Sequence, residues 1–337
     1  MKAVAYQAAH ALGTGPGLQD IRLPVPEARG RDLLVAVKAV SVNPVDTKVR
    51  AGMNAPEGGW KVLGWDAAGV VEAVGPDVTT FKPGDRVWYA GDLSRPGSNA
   101  EFQLVDERIV GLMPATLDFA EAAALPLTGL TAWELLFERL AVAQEAERPG
   151  QLLVVGAAGG VGSILVQLAR RLTGLTVIGT ASRPESRQWL QTLGAHHVID
   201  HAGSLSAGLK ETGLNEVTHV ASLNQTERHF AELVASLAPQ GKLGLIDDPS
   251  VLDVTALKRK SLSLHWEFMF TRSLFGTPDL AEQGRILNEL ARLIDAGVLR
   301  TTLARRLGPI NAASLNRAHA ELEGQRTCGK LVLEGFA

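Results

Sequence analysis

Over residues 1–110, apolar positions come in short runs broken by Gly and Pro. Residues 33–40 (LLVAVKAV), 69–75 (GVVEAVG) and 86–89 read as strands, the last entered through the turn Lys82-Pro83-Gly84-Asp85. Closely spaced short strands of this kind predict an irregular β-barrel or sandwich. Near residue 119 the period changes. Residues 119–125 are helical in propensity, and residues 128–140 (TGLTAWELLFERL) repeat apolar positions at helical spacing. Strands and helices then alternate. Strands are predicted at 151–155, 175–180, 197–199, 217–223 and 242–246, and helices at 162–172, 184–193 and 227–237. Alternation on this scale predicts βαβ units and a parallel sheet, an α/β fold. A late helix at 279–296 and a terminal strand at 329–334 complete the pattern, with no internal repeat.

Composition narrows the classes. The 337 residues suggest two domains at about 150 residues each. With 46% hydrophobic residues, 20% charged residues and net charge -3, the chain has no basic footprint for nucleic acid or an anionic membrane surface. One cysteine, Cys328, forbids an internal disulfide and any multi-cysteine zinc site. A reducing, cytoplasmic setting is the expectation. The N-terminus has no sustained apolar core of a signal peptide, and no apolar run of about 18 residues exists to span a bilayer. No Ser/His/Asp set, paired-carboxylate signature or P-loop is visible.

The strongest local signal is Gly156-Ala157-Ala158-Gly159-Gly160-Val161-Gly162, placed after a strand and opening a helix. Read from its end it is a dinucleotide fingerprint, Ala157-x-Gly159-x-x-Gly162, with Ala in place of the first Gly. Gly159 lets backbone approach a pyrophosphate, Gly162 lets helix and strand pack closely, and the helix N-terminus supplies N–H groups and positive potential. About 20 residues beyond Gly162, where an NAD site carries an acid for the ribose 2′-hydroxyl, stand Ser182 and Arg183. A hydroxyl and a guanidinium there favour a 2′-phosphate and hence NADP(H). A helix-capping Ser beside a solvated Arg is the alternative.

In its ordered series of motifs the chain resembles the medium-chain dehydrogenase/reductases, in their zinc-independent quinone oxidoreductase branch. The stretches are SVNPVDTKVR (41–50), GWDAAGVV (64–71), FKPGDRV (81–87), LPLTGLTAW (125–133), the glycine turn, and LGAHHVID (193–200). The resemblance implies a Rossmann doubly wound parallel-sheet domain inserted into a GroES-like β-barrel domain. The expected division is 1–125, 126–263 and 264–337, with the active cleft between domains and a homodimer as the assembly. Zinc alcohol dehydrogenases of the family carry a Cys in the segment 43–48, a His after the Gly matching Gly64, and four cysteines near 90–110. This chain has none of these, and Trp65 stands in place of the His. Zinc is therefore not expected, and without a Lewis acid alcohol oxidation is disfavoured. The expected reaction is hydride transfer from NADPH to a quinone or enone. A double-bond reductase of enals and enones is the rival, and an NADPH-binding sensor or crystallin-like protein is the rival of another class.

The resemblance also assigns candidate residues. Asn43 and Asp46 line the family's cleft, although Asn43-Pro44 is equally a turn whose side chain satisfies its own backbone. Lys48 stands where many relatives have Tyr and could stabilise a developing anion, or simply be a solvated lysine. Trp65 is a pocket floor or a core residue. Thr128 lies beside the nicotinamide or is the N-cap of its helix. His201 and Asn224 are placed near the cofactor, Ile246 and Asp247 offer backbone groups to the nicotinamide, and Phe270 packs on the cleft or the core. Lys330 reaches cofactor phosphates or is a strand-edge lysine.

Overall fold

The computed structural model describes residues 1–144 and 149–336. The chain forms two compact units, one of Met1–Leu130 with Phe270–Ala337 and one of Thr131–Met269. The sequence reading put the divisions after residues 125 and 263.

The first stretch runs β1 (Lys2–Tyr6), β2 (Gln19–Arg22), β3 (Asp32–Ser41), α1 (Pro44–Gly52), β4 (Lys61–Val62), β5 (Ala67–Val74), β6 (Arg86–Tyr89), β7 (Phe102–Asp106), β8 (Val110–Leu112), α2 (Phe119–Ala123) and α3 (Pro126–Trp133). The predicted helix 128–140 is in fact α3 followed directly by a π-helix, Glu134–Arg139. Helix α1 stands where one of the two readings of Asn43-Pro44 had a turn. Asn43 is its N-cap, Pro44 opens it, and the Asp46 carboxylate accepts from the Asn43 N–H at 2.7 Å. Asn, then Pro, then an acid three residues on is a helix-start signature that was present in the sequence.

The Thr131–Met269 unit continues with β9 (Gly150–Val155), α4 (Gly160–Leu172), β10 (Leu175–Thr180), α5 (Pro184–Leu193), β11 (His197–Ile199), α6 (Leu205–Glu211), β12 (Val217–Ser222), α7 (Thr226–Ser236), β13 (Leu237–Leu245) and β14 (Ser263–Trp266). Among the described residues these strands form one six-stranded parallel sheet of order β11-β10-β9-β12-β13-β14. The order reverses beside β9, the first strand, which makes its carboxyl end the place where ligands bind in open α/β sheets. The core is aliphatic, with Leu153, Ile178, Val220, Leu233 and Leu243 at 0% exposure. Strand β13 begins earlier than the expected residue 242. The turn-rich Pro239-Gln240-Gly241 hides that extension, and the ladder to β12 is irregular there.

The chain then returns through α8 (Thr271–Phe275), α9 (Glu282–Asp295), β15 (Leu303–Arg306), α10 (Ala312–Glu323) and β16 (Lys330–Glu334). Among the described residues this unit holds a seven-stranded sheet, β15-β16-β3-β5-β6-β8 with β7 also on β3, and a three-stranded sheet β2-β1-β4. The long apolar run of β3 is explained by its central place, with β5 on one edge and β7 and β16 sharing the other. Terminal β16 pairs Leu333 with Val40 and Val332 with Ser41, a register that brings Lys330 alongside Val42 and Asn43. Among the described residues, no helix is long and apolar enough to cross a membrane.

Glycine at 162 is dictated by packing, because a Cβ there would collide with the Ala157 backbone carbonyl. Gly162→Ala is expected to lower unfolding free energy by about 1–3 kcal/mol in denaturant titrations. An unchanged midpoint would contradict that packing argument.

Candidate functional site

The nucleotide candidates collect at the carboxyl edge of the parallel sheet. Strand β9 ends at Val155, and the turn carries Ala157, Ala158 and Gly159 into α4, whose N-cap is Gly159 and whose first turn is Gly160, Val161 and Gly162. First-turn N–H groups of a helix have no intrahelical acceptor and point out of its end. Gly159 differs from Gly162 in its need. A Cβ on it would meet nothing nearer than the Gly156 carbonyl at 3.4 Å, an ordinary contact. Nothing inside the unit requires glycine there, which leaves close approach from outside as the physical reason.

Around this turn the neighbouring strand ends are tied together. Thr180 Oγ1, at the end of β10, accepts from Gly156 N at 3.3 Å, and Leu223 N donates to Val155 O at 3.1 Å. Exposed Asn224 lies over the turn, its Oδ1 2.7 Å from where a Gly156 Cβ would sit. Ser182 is exposed and Arg183 half-buried as the N-cap of α5, so both face outward from the end of β10. His201, just after β11, meets His229 edge to face at 6.2 Å. Ile246 and Asp247 are half-buried at the end of β13. The Asp247 carboxylate is engaged internally, accepting from Thr226 N at 2.8 Å and Thr226 Oγ1 at 2.5 Å, where it caps α7. The Asp247 side chain is therefore occupied within the unit, and only its backbone groups remain uncommitted to Thr226.

In the other unit, the candidates Asn43, Asp46 and Lys330 converge on a residue the sequence reading did not single out, Asp66. Its exposure is 0%, and Asn43, Asp46 and Lys330 are at 1%, 1% and 3%. Asp66 Oδ2 accepts from Asn43 Nδ2 at 2.8 Å and from Lys330 Nζ at 3.0 Å. Its Oδ1 accepts from Leu127 N at 2.8 Å, at the start of α3. Lys330 Nζ also donates to Val42 O at 3.0 Å and to Asn43 Oδ1. Helix α1 is held independently by buried Arg50, which bonds His319 Nδ1 at 2.9 Å and the Glu323 carboxylate on α10.

Electrostatics follow from this burial. Desolvation pushes the Asp66 carboxyl above the usual range, opposed by Lys330, Asn43 and the Leu127 N–H. Desolvation likewise pushes Asp46 up to about 7, reinforced by the Asp66 charge and opposed by the Asn43 N–H, Lys330 and the Gly64 N–H. Two acids and one ammonium in a closed site are neutral only when one acid keeps its proton, and Asp46 is the one placed to keep it.

Several expectations are corrected here. Lys330 does not extend toward a solvent-side phosphate, because Asp66 and the Val42 carbonyl hold its ammonium inside the unit. Asn43 is not a turn residue, and both ends of its amide are engaged by Asp66 and Lys330, which leaves it orienting its neighbours. Thr128 is not an N-cap. It is the third residue of α3 and donates back to Leu125 O at 3.2 Å. Trp65 is buried, 1% exposed, with its indole N–H on Asp92 O at 3.2 Å and its ring edge to face with buried Phe270 at 6.4 Å. Lys48, on α1, is exposed. A signal for Asp66 existed in the sequence: a lone carboxylate among Leu63, Ala67, Ala68, Val70 and Val71 must find a buried partner. The lone cation opening the apolar run Leu331-Val332-Leu333 was the matching half.

Two predictions follow from the cluster. Asp66→Asn or Lys330→Met leaves a buried charge without its counter-ion and is expected to destabilise by about 3–5 kcal/mol, with the double variant losing less than the sum. Additive losses in denaturant titrations would mean the pair is uncoupled. For Asp46, the folded value of about 7 lies above the ordinary 3.8, so its stabilising contribution is full below about pH 4 and lost as pH rises through about 7. Stability of the wild type relative to Asp46→Asn should fall across that window, and parallel curves would refute the assignment.

Residues 29–126 match the alcohol dehydrogenase GroES-like domain, and residues 193–333 match the zinc-binding dehydrogenase family. A zinc-type alcohol dehydrogenase-like protein of Staphylococcus aureus is 41% identical over 320 residues, covering 93% of this chain and 92% of the relative. The crystal structure of a putative zinc-dependent alcohol dehydrogenase protein from Rhizobium etli superposes with TM-score 0.96 at 57% identity, over 100% of this chain and 98% of the other. Quinone oxidoreductase of Escherichia coli, solved in complex with NADPH, superposes with TM-score 0.83 at 27% identity over 99% and 100%. With a glycine turn at the reversal point of a parallel sheet and a β unit built from both chain ends, these likenesses have one meaning: the chain belongs to the medium-chain dehydrogenase/reductase superfamily.

Proposed function

We propose that this chain is an NADPH-dependent, zinc-free reductase that passes hydride to a quinone or a related conjugated carbonyl. The family makes it an oxidoreductase of the NAD(P)H-linked kind. The observation that carries the finer reading is the end of β10, where exposed Ser182 and half-buried Arg183 stand at the position that holds an acid in an NAD site. The binding of NADPH reported for the Escherichia coli quinone oxidoreductase supports it.

When bound, the nicotinamide supplies the hydride. The protein's part is to hold and orient. The first turn of α4 donates N–H groups to the pyrophosphate, and Gly159 admits its close approach. Ser182 donates to the 2′-phosphate, and Arg183 pairs with it. The Asp66–Lys330–Asn43 cluster fixes the starts of α1 and α3, and so fixes Lys48 and Thr128. Exposed Lys48 is the cation we assign to stabilising an oxyanion that develops on the acceptor.

The family descriptions name zinc, and the residues present do not suit it. The position expected of a His is Trp65, whose indole nitrogen is a donor only and already bonds Asp92. Asp66 is engaged by Lys330, and the single cysteine, Cys328, lies far along the chain. Among the described residues no group of three or more His, Cys, Asp or Glu could hold a metal ion. We infer no step through a metal. A cytoplasmic homodimer remains part of the proposal, with edge strand β14, its exposed Trp266 and the exposed Phe268 just after it as the candidate seam.

The test is NADPH oxidation against quinone, enone, enal and simple aldehyde acceptors, with and without chelator. Turnover of the quinone or enone that ignores chelator is expected. Chelator-sensitive aldehyde reduction would overturn the zinc-free reading, and tight NADPH binding without turnover would favour a sensor. Arg183→Ala should weaken NADPH about 10–100-fold and leave NADH unchanged, the loss of one charge-assisted contact. Equal weakening of both nucleotides would remove Arg183 from the 2′-phosphate.

A further inference from the structure

Ser163 is the first residue of α4 to carry a polar side chain, and its exposure is 0%. A serine inside a helix often returns its hydroxyl to the carbonyl four residues back. For Ser163 that carbonyl is Gly159 O, which already accepts the Ser163 N–H at 2.9 Å. The hydroxyl instead reaches one residue further and donates to Ala158 O at 3.3 Å. Trp189, half-buried on α5, sets that direction. Its indole N–H is a donor and nothing else, and it lies 2.8 Å from Ser163 Oγ. The hydroxyl must accept there, which leaves its single proton for Ala158 O.

The Ala158 carbonyl matters because it belongs to the turn between β9 and α4. A carbonyl oxygen carries partial negative charge, and one facing out of this turn would oppose a pyrophosphate. Bonded to a fully buried hydroxyl, it points into the unit instead. The Gly159 N–H is also turned inward, onto Gly156 O at 3.1 Å. The N–H groups of Gly160, Val161 and Gly162 have no acceptor within the helix and are what the turn presents. Both partners of the hydroxyl are firmly held. Gln167 Nε2 donates to Ser163 O at 3.2 Å within α4. Arg187 ties α5 to the end of β11 through Val198 O at 2.9 Å. Leu190, beside Trp189, packs so closely on β10 that a Cβ at Gly179 would lie 2.9 Å from it.

We propose, resting on the reading of this chain as an NADPH-linked reductase, that Ser163 is a positioning residue for the cofactor pyrophosphate and that Trp189 directs it. The Trp189 N–H orients the hydroxyl, the hydroxyl holds the Ala158 carbonyl inward, and the first turn of α4 is left to face the phosphates with donors alone. Without the hydroxyl the Ala158 peptide unit is released to turn its oxygen toward them. NADPH and NADH share the pyrophosphate, so both lose affinity together. This separates Ser163 and Trp189 from Arg183, whose loss is expected to weaken NADPH alone.

The test is the dissociation constants of NADPH and NADH for the intact protein, with the urea midpoint measured in parallel. Ser163→Ala should weaken both nucleotides by about 5–10-fold, the loss of one hydrogen bond to the turn. Trp189→Phe should weaken both by about twofold or more, and should add nothing in the Ser163→Ala background. Trp189→Phe removes one half-buried contact, so it keeps the test open should Ser163→Ala fold poorly. A lowered midpoint with both dissociation constants unchanged would make Ser163 a packing residue and overturn the proposal. So would a Trp189→Phe loss confined to NADPH, which would place its action at Arg183, or an equal loss with and without Ser163. A wild type that binds neither nucleotide would overturn the cofactor reading itself, and this role with it.

Discussion

A carboxylate and an ammonium shut away from water together constrain the β unit more than any other contact. Removing either charge from solvent is expensive, and the attraction between Asp66 and Lys330 offsets this with the help of the further hydrogen bonds each group makes. Asp66 accepts from Asn43, Lys330 and the Leu127 N–H, while Lys330 donates to Asp66, Asn43 and the Val42 carbonyl. These contacts join residues from β16, the N-cap of α1, the segment before β5 and the start of α3. The elements that present Lys48 and Thr128 therefore cannot shift independently. A wholly apolar core would have held them with less directional specificity.

The same cluster shows why burial and chemical importance must be separated. Asn43, Asp46 and Lys330 were singled out for substrate or cofactor, and the fold uses all three to complete one another's hydrogen bonds. Asp46 adds a second property, since its proton balances a site that would otherwise carry one negative charge too many. Trp65 and Phe270 likewise pack on each other and are closed to solvent. The side chains left facing outward are fewer: Lys48 in one unit, and Ser182, Arg183 and Asn224 in the other.

The unit of residues 131–269 is built differently. The carboxyl edge of its sheet is mostly backbone, since the glycine turn, the first turn of α4 and the end of β13 present peptide groups. The side chains Thr180, Thr226 and Asp247 hold those groups in place. Such an edge depends on strand order and helix entry more than on side-chain identity. This explains how Ala157 can stand where the fingerprint usually has glycine without disturbing the turn.

By itself the sequence determined the alternation of strands and helices from β9 to β13, but not helix α6, strand β14 or the order of strands in the sheet. Strands β10 and β11 and helix α5 were read to the residue, because each is a short regular pattern bounded by its own turn or cap. The glycine turn was legible for the same reason, as its constraint is local. Helix α1 was signalled by Asn43, Pro44 and Asp46 but was too short and polar for its period to register. The π-turn at Glu134–Arg139 left no mark on the apolar pattern, because a shift in backbone hydrogen bonding does not change which residues are apolar. Only the tertiary structure decided the partners of buried charge. Asp66 and Lys330 stand 264 residues apart, as do many other possible pairs. What joined them was the antiparallel register of β16 on β3, which is set by the packing of the whole sheet and not by any residue near either charge.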